Sequence, residues 1–222
     1  MATYSIIFYI MLGIECLLLV PFILKFKKLE EAGRWVFAYL VSSIVFASGT
    51  TQISMIWGNN MWFFALMYMV QFVILSVFYA TVIKSKIMRT AIWWMMLPVF
   101  IIFLLDLFRL EGILHYNSIF ASARNFVLIV YGVIFFLQLL RDETLIKQSI
   151  FINTLPDFWF NAGFFIYLCS TMLKNLSYNY FSIHSISTTG YILSLSFVAG
   201  IIQLILIFIG LLKVKTTTNG YS

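Results

Sequence analysis

Residues 61–83, MWFFALMYMVQFVILSVFYATVI, decide the fold. These 23 residues carry no charged side chain. A helix of that length rises about 35 Å, enough to cross the roughly 30 Å hydrocarbon core of a bilayer. Turn residues bound the run on one side, at Gly58-Asn59-Asn60, and lysines bound it on the other, at Lys84 and Lys86. Working outward, runs of the same kind occupy 35–57 and 87–108, then 4–25 and 119–140, and finally 158–176 and 190–212. The expected architecture is an all-α, polytopic membrane bundle of about seven transmembrane helices, forming a single domain over residues 1–222. Short connections make successive helices antiparallel neighbours.

Composition agrees. Apolar residues make up 63% of the chain and charged residues 10%, well below the quarter or so that covers a soluble domain. The formal charge of +6 would suggest nucleic acid in a soluble protein. In a membrane protein it reflects basic loops, and no nucleic-acid partner is expected. Cys16 and Cys169 both lie inside apolar runs, which speaks against a disulfide framework and against a thiolate metal site. The start of the chain lacks a basic n-region and a small-residue cleavage pattern, so the first run is expected to be an uncleaved span.

Lysine and arginine set the orientation. Lys25, Lys27, Lys28, Arg34, Lys84, Lys86, Arg89, Arg141, Lys147, Lys213 and Lys215 fall on one side of the seven runs, and only Arg109, Arg124 and Lys174 on or near the other. The positive-inside rule then puts the N-terminus outside and the C-terminus in the cytoplasm. The sixth run is the most polar, with Asn161, Gly163 and Ser170. Before it, Leu145 to Phe160 reads as an interfacial segment broken at Pro156.

Polar groups at membrane depth cost several kcal/mol unless paired or wetted, so function is sought there. Glu15 lies mid-way along the first run and Gln71 mid-way along the third. In the fifth, Arg124, Tyr131 and Gln138 recur every seven residues, on one stripe. In the sixth, Gly163, Tyr167, Ser170 and Lys174 follow helical steps. The expected site is a polar cavity open to the outer leaflet, lined by Glu15, Gln52, Gln71, Arg124, Tyr131 and Tyr167. Asp106, at a depth similar to Arg124, is expected to form an outer ion pair with it, a role Glu15 could also fill. Glutamines and tyrosines also serve simply to bond helices together. An ionised pair is a costly means to that end. His115, His184 and Glu111 are placed in outer loops, where a metal or proton sensor could use them, although solvated loop histidines need no role. No catalytic motif, cofactor loop or metal cluster is present in the pattern of residues.

Three stretches carry a resemblance: Met67 to Phe72, Tyr116 to Asn125, and Phe158-Trp159-Phe160-Asn161-Ala162-Gly163-Phe164-Phe165-Ile166-Tyr167. Together they resemble an uncharacterised group of small bacterial seven-helix membrane proteins, themselves similar to the membrane input modules of sensor histidine kinases. Glu15 matches that group's acidic position in the first helix. At Gln71 the group often has an acid instead. The resemblance implies a sensor-like module of the bacterial cytoplasmic membrane, binding a small ligand or lipid from outside. Its short cytoplasmic parts would oblige it to signal through a separate membrane or cytoplasmic partner or a homo-oligomer. Two alternatives stand beside it: a small transporter or channel using Glu15 as a proton or cation site, and a structural or assembly subunit of a membrane complex.

The orientation is open to a direct check. In intact cells, a membrane-impermeant maleimide will label a cysteine placed at Asn59 and spare one placed at Lys27. The reverse pattern would invert the topology.

Overall fold

The computed structural model describes residues 3–142, 151–184 and 186–214. Among these, seven α-helices occur and no strand: α1 (Thr3–Lys25), α2 (Glu31–Trp57), α3 (Met61–Val82), α4 (Lys86–Leu105), α5 (Ser118–Leu140), α6 (Pro156–His184) and α7 (Ile186–Lys213). A 3-10 turn, Phe26–Lys28, links α1 to α2, and a π-helical turn, Asp106–Leu110, widens the end of α4. Six of the seven, all but α6, are long and apolar enough to cross a membrane.

The bundle is inverted relative to a soluble protein. Leu17, Leu24 and Met55 lie 72–80% exposed, while Asn125 and Asn161 are fully enclosed. In water, each such exposed side chain would forgo about 1.5–3 kcal/mol. Against lipid the exposure is free, and it is the polar groups that must be turned inward. The chain is thus built as a multi-pass membrane protein.

Packing closes six helices into a ring, α1–α2–α3–α5–α6–α7 and back to α1, with α4 lying outside against α3 and α5. Accordingly α4 buries only Ile92, Val99 and Phe103. Across the ring, α2 meets α6, where Tyr39 and Phe164 stack edge to face at 5.0 Å. The basic residues Lys25, Lys27, Lys28, Lys84, Lys86, Arg89, Arg141 and Lys213 gather at one end, called here the basic end. Near it the interior is closed by an aromatic layer of fully buried Phe22, Phe78, Tyr79, Phe160 and Phe164. Within it Phe22 meets Phe160 at 6.4 Å, and Phe78 meets Phe164 at 5.3 Å and Tyr79 at 5.2 Å.

The helix boundaries match the expected spans closely, with one correction. The segment 177–189, read as an outer loop, is largely helical, since α6 continues to His184 and α7 begins at Ile186. Hydropathy fails there because Tyr178, Asn179 and Tyr180 are too polar for a span, yet no Gly or Pro breaks the helix. At the other end of α6, Pro156 does not interrupt a helix but starts one, at the position where its missing N–H costs nothing. Of the apolar segment before it, Ile152–Thr154 form a single 3-10 turn and 145–150 lie outside the described residues, as do Lys147 and Lys215.

Gly58 and Gly163 are among the glycines that geometry requires. Gly58 ends α2 in the left-handed region, at φ 70°, which lets the chain turn within three residues into α3. Gly163 lets α6 lie directly on α7, where a Cβ would stand 3.0 Å from the Gln203 carbonyl oxygen. Gly13 has open space around it. Thermal unfolding in detergent should separate the two positions. Gly163→Ala will lower stability by about 1–2 kcal/mol through overpacking. Gly13→Ala will leave it unchanged or raise it by up to about 1 kcal/mol through helix propensity.

Candidate functional site

The polar interior is densest in the half away from the basic end, and Tyr68 of α3 is its hub. Arg124 of α5 donates from Nη1 to the Tyr68 carbonyl at 3.0 Å and holds its guanidinium 4.1 Å from the Tyr68 ring centre. Lys174 of α6 donates to the Tyr68 hydroxyl at 3.0 Å. Arg124 is 2% exposed and Lys174 9%. Both cations therefore lean on one tyrosine, through its carbonyl, its hydroxyl and its π face. A desolvated cation–π contact is worth about 2 kcal/mol.

Tyr116, from the link between α4 and α5, covers this pair. Its hydroxyl lies 2.5 Å from Asn175 Oδ1 and 3.4 Å from the Tyr68 hydroxyl. Asn175 in turn donates to the Ala121 carbonyl at 3.1 Å. The link itself is held by two carboxylates that cap α5. Asp106 Oδ2 accepts from the Phe120 N–H at 2.7 Å, a reach made available by the π-turn. Glu111 accepts from the Ser118 N–H, from its hydroxyl at 2.5 Å, and from Asn179 of α6 at 2.6 Å. Acids suit this place because the helix N-terminus is positive.

That geometry corrects the expected outer ion pair. Asp106 forms no salt bridge with Arg124: its Oδ2 is held on the α5 cap, and its buried Oδ1 has no hydrogen-bond partner. Among the described residues the one salt bridge is Lys84 to Asp142, at the basic end. Glu15 does not pair with Arg124 either. It sits buried across the ring on α1, beside Tyr39, Ser43, Tyr167, Gly200 and Gln203, around a cavity of about 10 Å³. That volume is close to the minimum for one water. One carboxylate oxygen, Oε2, has no hydrogen-bond partner. Tyr167 and Tyr39 lie between the two clusters, each within electrostatic reach of both Glu15 and Arg124.

The expected lining is thus partly brought together. Glu15, Tyr167 and Arg124 belong to one polar strip across the interior, and Gln71 is buried on α3 one turn on from Tyr68. Gln52 does not join them: it is exposed on the outside of α2. Tyr131 is buried lower down, 5.7 Å from the Tyr79 ring, with its hydroxyl unpartnered. Lys174, Tyr68, Tyr116 and Asn175 were not in the expected site, although Lys174 stood on the same helical stripe as Tyr167. The signal that would have found it is a lysine in a span with no acid one turn away.

Other polar groups bond helices together. Asn125 joins α5 to α6 through the Thr171 hydroxyl at 2.9 Å. Asn161 accepts from the Tyr79 hydroxyl at 2.9 Å and donates to the Gly132 carbonyl at 3.3 Å. Gln138 donates to the Val82 carbonyl at 3.1 Å and accepts from the Lys84 N–H at 2.6 Å. His184 stacks on Tyr180 of its own helix, His115 is exposed, and among the described residues no three metal-ligating side chains converge.

Two tyrosines differ enough to test the assignment. Tyr79→Phe leaves Asn161 Oδ1 buried without its donor and should cost about 1–3 kcal/mol of stability. Tyr131→Phe removes a buried hydroxyl that bonds nothing and should leave stability unchanged or raise it. Equal losses in thermal unfolding would refute the division into bonding and free hydroxyls.

No known protein family, curated protein or solved structure matches the chain, so the chemistry of the site rests on its own residues.

Proposed function

We propose that the chain is a sensor-like module of a bacterial cytoplasmic membrane, with seven spans, the N-terminus outside and the C-terminus in the cytoplasm. It binds a small ligand or lipid from the outer side and reports through a separate partner chain. The observation that carries this reading is the asymmetry of the interior. Ionisable groups fill the half away from the basic end, and a layer of fully buried aromatic rings closes the half beside it. A receptor needs such a one-sided site. A carrier needs a path that opens to both faces, and here that path would have to part Phe78, Phe160 and Phe164. The resemblance proposed from residues 67–72, 116–125 and 158–167 together, to small seven-helix proteins similar to sensor input modules, points the same way. Gathering of the basic residues at one end supports the orientation, by the positive-inside rule.

One observation favours a transporter as the second reading. Glu15 lies about 15 Å along α1 from Lys25, near mid-membrane, with an unpartnered oxygen beside a water-sized cavity. Such a carboxylate suits proton or cation coupling.

Proteoliposomes and affinity purification separate the two. The full chain, reconstituted, should pass protons and cations no faster than empty vesicles, and in mild detergent it should bring down a stoichiometric partner. Flux that Glu15→Gln abolishes would replace the sensor with the carrier. A strictly solitary monomer would also defeat the sensor.

A further inference from the structure

The charge around Tyr68 does not balance. Arg124 brings a guanidinium into the buried interior. Lys174 lies beside it on the neighbouring helix, its Nζ 5.6 Å from the same ring. Every partner recorded for the two cations is neutral: a carbonyl, a phenol and two aromatic faces. Glu111 is engaged on the α5 cap, Asp106 spends one oxygen there while its buried Oδ1 has no hydrogen-bond partner, and neither Asp106 nor Glu15 forms an ion pair with either cation. Burying a cation without a counter-charge costs several kcal/mol. A methionine or glutamine could join these helices at far less cost.

The geometry also leaves donors to spare. Arg124 Nε is buried and makes no hydrogen bond, so one edge of the guanidinium fork is unpartnered. Lys174 uses one of its three donors on Tyr68. We propose that Arg124 and Lys174 form the seat of a small oxyanion, a carboxylate or a phosphate, which bridges guanidinium and ammonium and supplies the absent negative charge. Arginine suits this chemistry because its fork matches the spacing of two oxyanion oxygens. Arg124 lies six residues along α5 from Ser118, about 9 Å from the start of the helix, within reach of the end remote from the basic loops. Tyr116 stands over the seat through its bonds to Tyr68 and Asn175, so the link between α4 and α5 must yield for the anion to enter. This inference names the ligand class of the sensor proposed above and takes from it the side of entry.

The oxyanion could come from a lipid headgroup or from solution, and two arms distinguish these. The full chain is placed in phosphatidylcholine nanodiscs and its unfolding midpoint followed as sodium phosphate is added, against sodium chloride at matched ionic strength. In a second arm phosphatidylglycerol is included and no phosphate is added. A saturable rise with phosphate identifies a soluble anion, and a rise in the phosphatidylglycerol discs alone identifies a headgroup. In either case Lys174→Met should weaken the response by about tenfold or more, as loss of a charged hydrogen bond implies, while Lys174→Arg retains most of it. Should Lys174→Met fail to fold, Arg124→Lys takes its place; it keeps the charge, loses the fork, and should weaken the response several-fold. No response in either arm beyond chloride would overturn the proposal, as would a folded variant that responds like the wild type. The outcomes stay distinct from those of the sensor reading. Anion binding together with anion flux would sink the sensor and leave the seat. A co-purified partner with no anion response would do the reverse.

Discussion

The contact between Arg124 and Tyr68 constrains more of this bundle than any other. A guanidinium cannot be left in lipid, and the partner chosen for it is a backbone carbonyl and a ring on α3. For that bond to form, α3 and α5 must touch directly. The helix between them in sequence, α4, is therefore displaced to the outside of the ring. The opposite end of the same helix pair is fastened by Gln138, which bonds the last carbonyl of α3 and the N–H of Lys84. With α3 and α5 held at both ends, the remaining helices have little choice of position.

α6 then fits where polar groups are needed. It supplies Asn161, Thr171, Lys174 and Asn175, all buried, to bonds with α3, α5 and the α4–α5 link. The same feature explains why α6, alone of the seven helices described, is not apolar enough over its length to count as a membrane span. Its polarity is real, but it faces protein, and an average over residues cannot separate a polar face turned inward from one turned to water.

The sequence was most legible where a single helix settles the matter. Lengths, boundaries and the ring of lysines at one end followed from hydropathy and charge, and Glu15 and Arg124 followed from the cost of burying an ionisable group. What was lost needs the relation between helices. Gln52 lies two residues from Thr50, which is buried, so it turns about 200° away from the interior. The α2 run is apolar on both sides, and nothing in it reveals which face is inward. Asp106 and Arg124 share a depth, but depth does not fix azimuth. The Phe120 N–H, two residues into α5, competes for the carboxylate at close range. Tyr68 shares a face with Gln71 but is absent from the expected lining, because its part is played largely by a carbonyl and a π face, neither of which a side-chain inventory records as polar.

On the proposed reading, the same architecture supplies a route from one end to the other. Lys174 and Asn175 of α6 contact the site, and Phe164 and Phe160 of the same helix belong to the aromatic layer near the basic end. A layer of close-packed rings does not compress, so a shift of α6 at the site must be carried as a displacement of the whole helix or not at all. Gly163, where α6 rides directly on the backbone of α7, is where such sliding meets least side-chain resistance. A ligand that replaces neutral partners with a counter-charge gains most in the position of α6 that brings Lys174 closest to Arg124. Its differential affinity for that position is the free energy available to move the far end of the helix at Pro156.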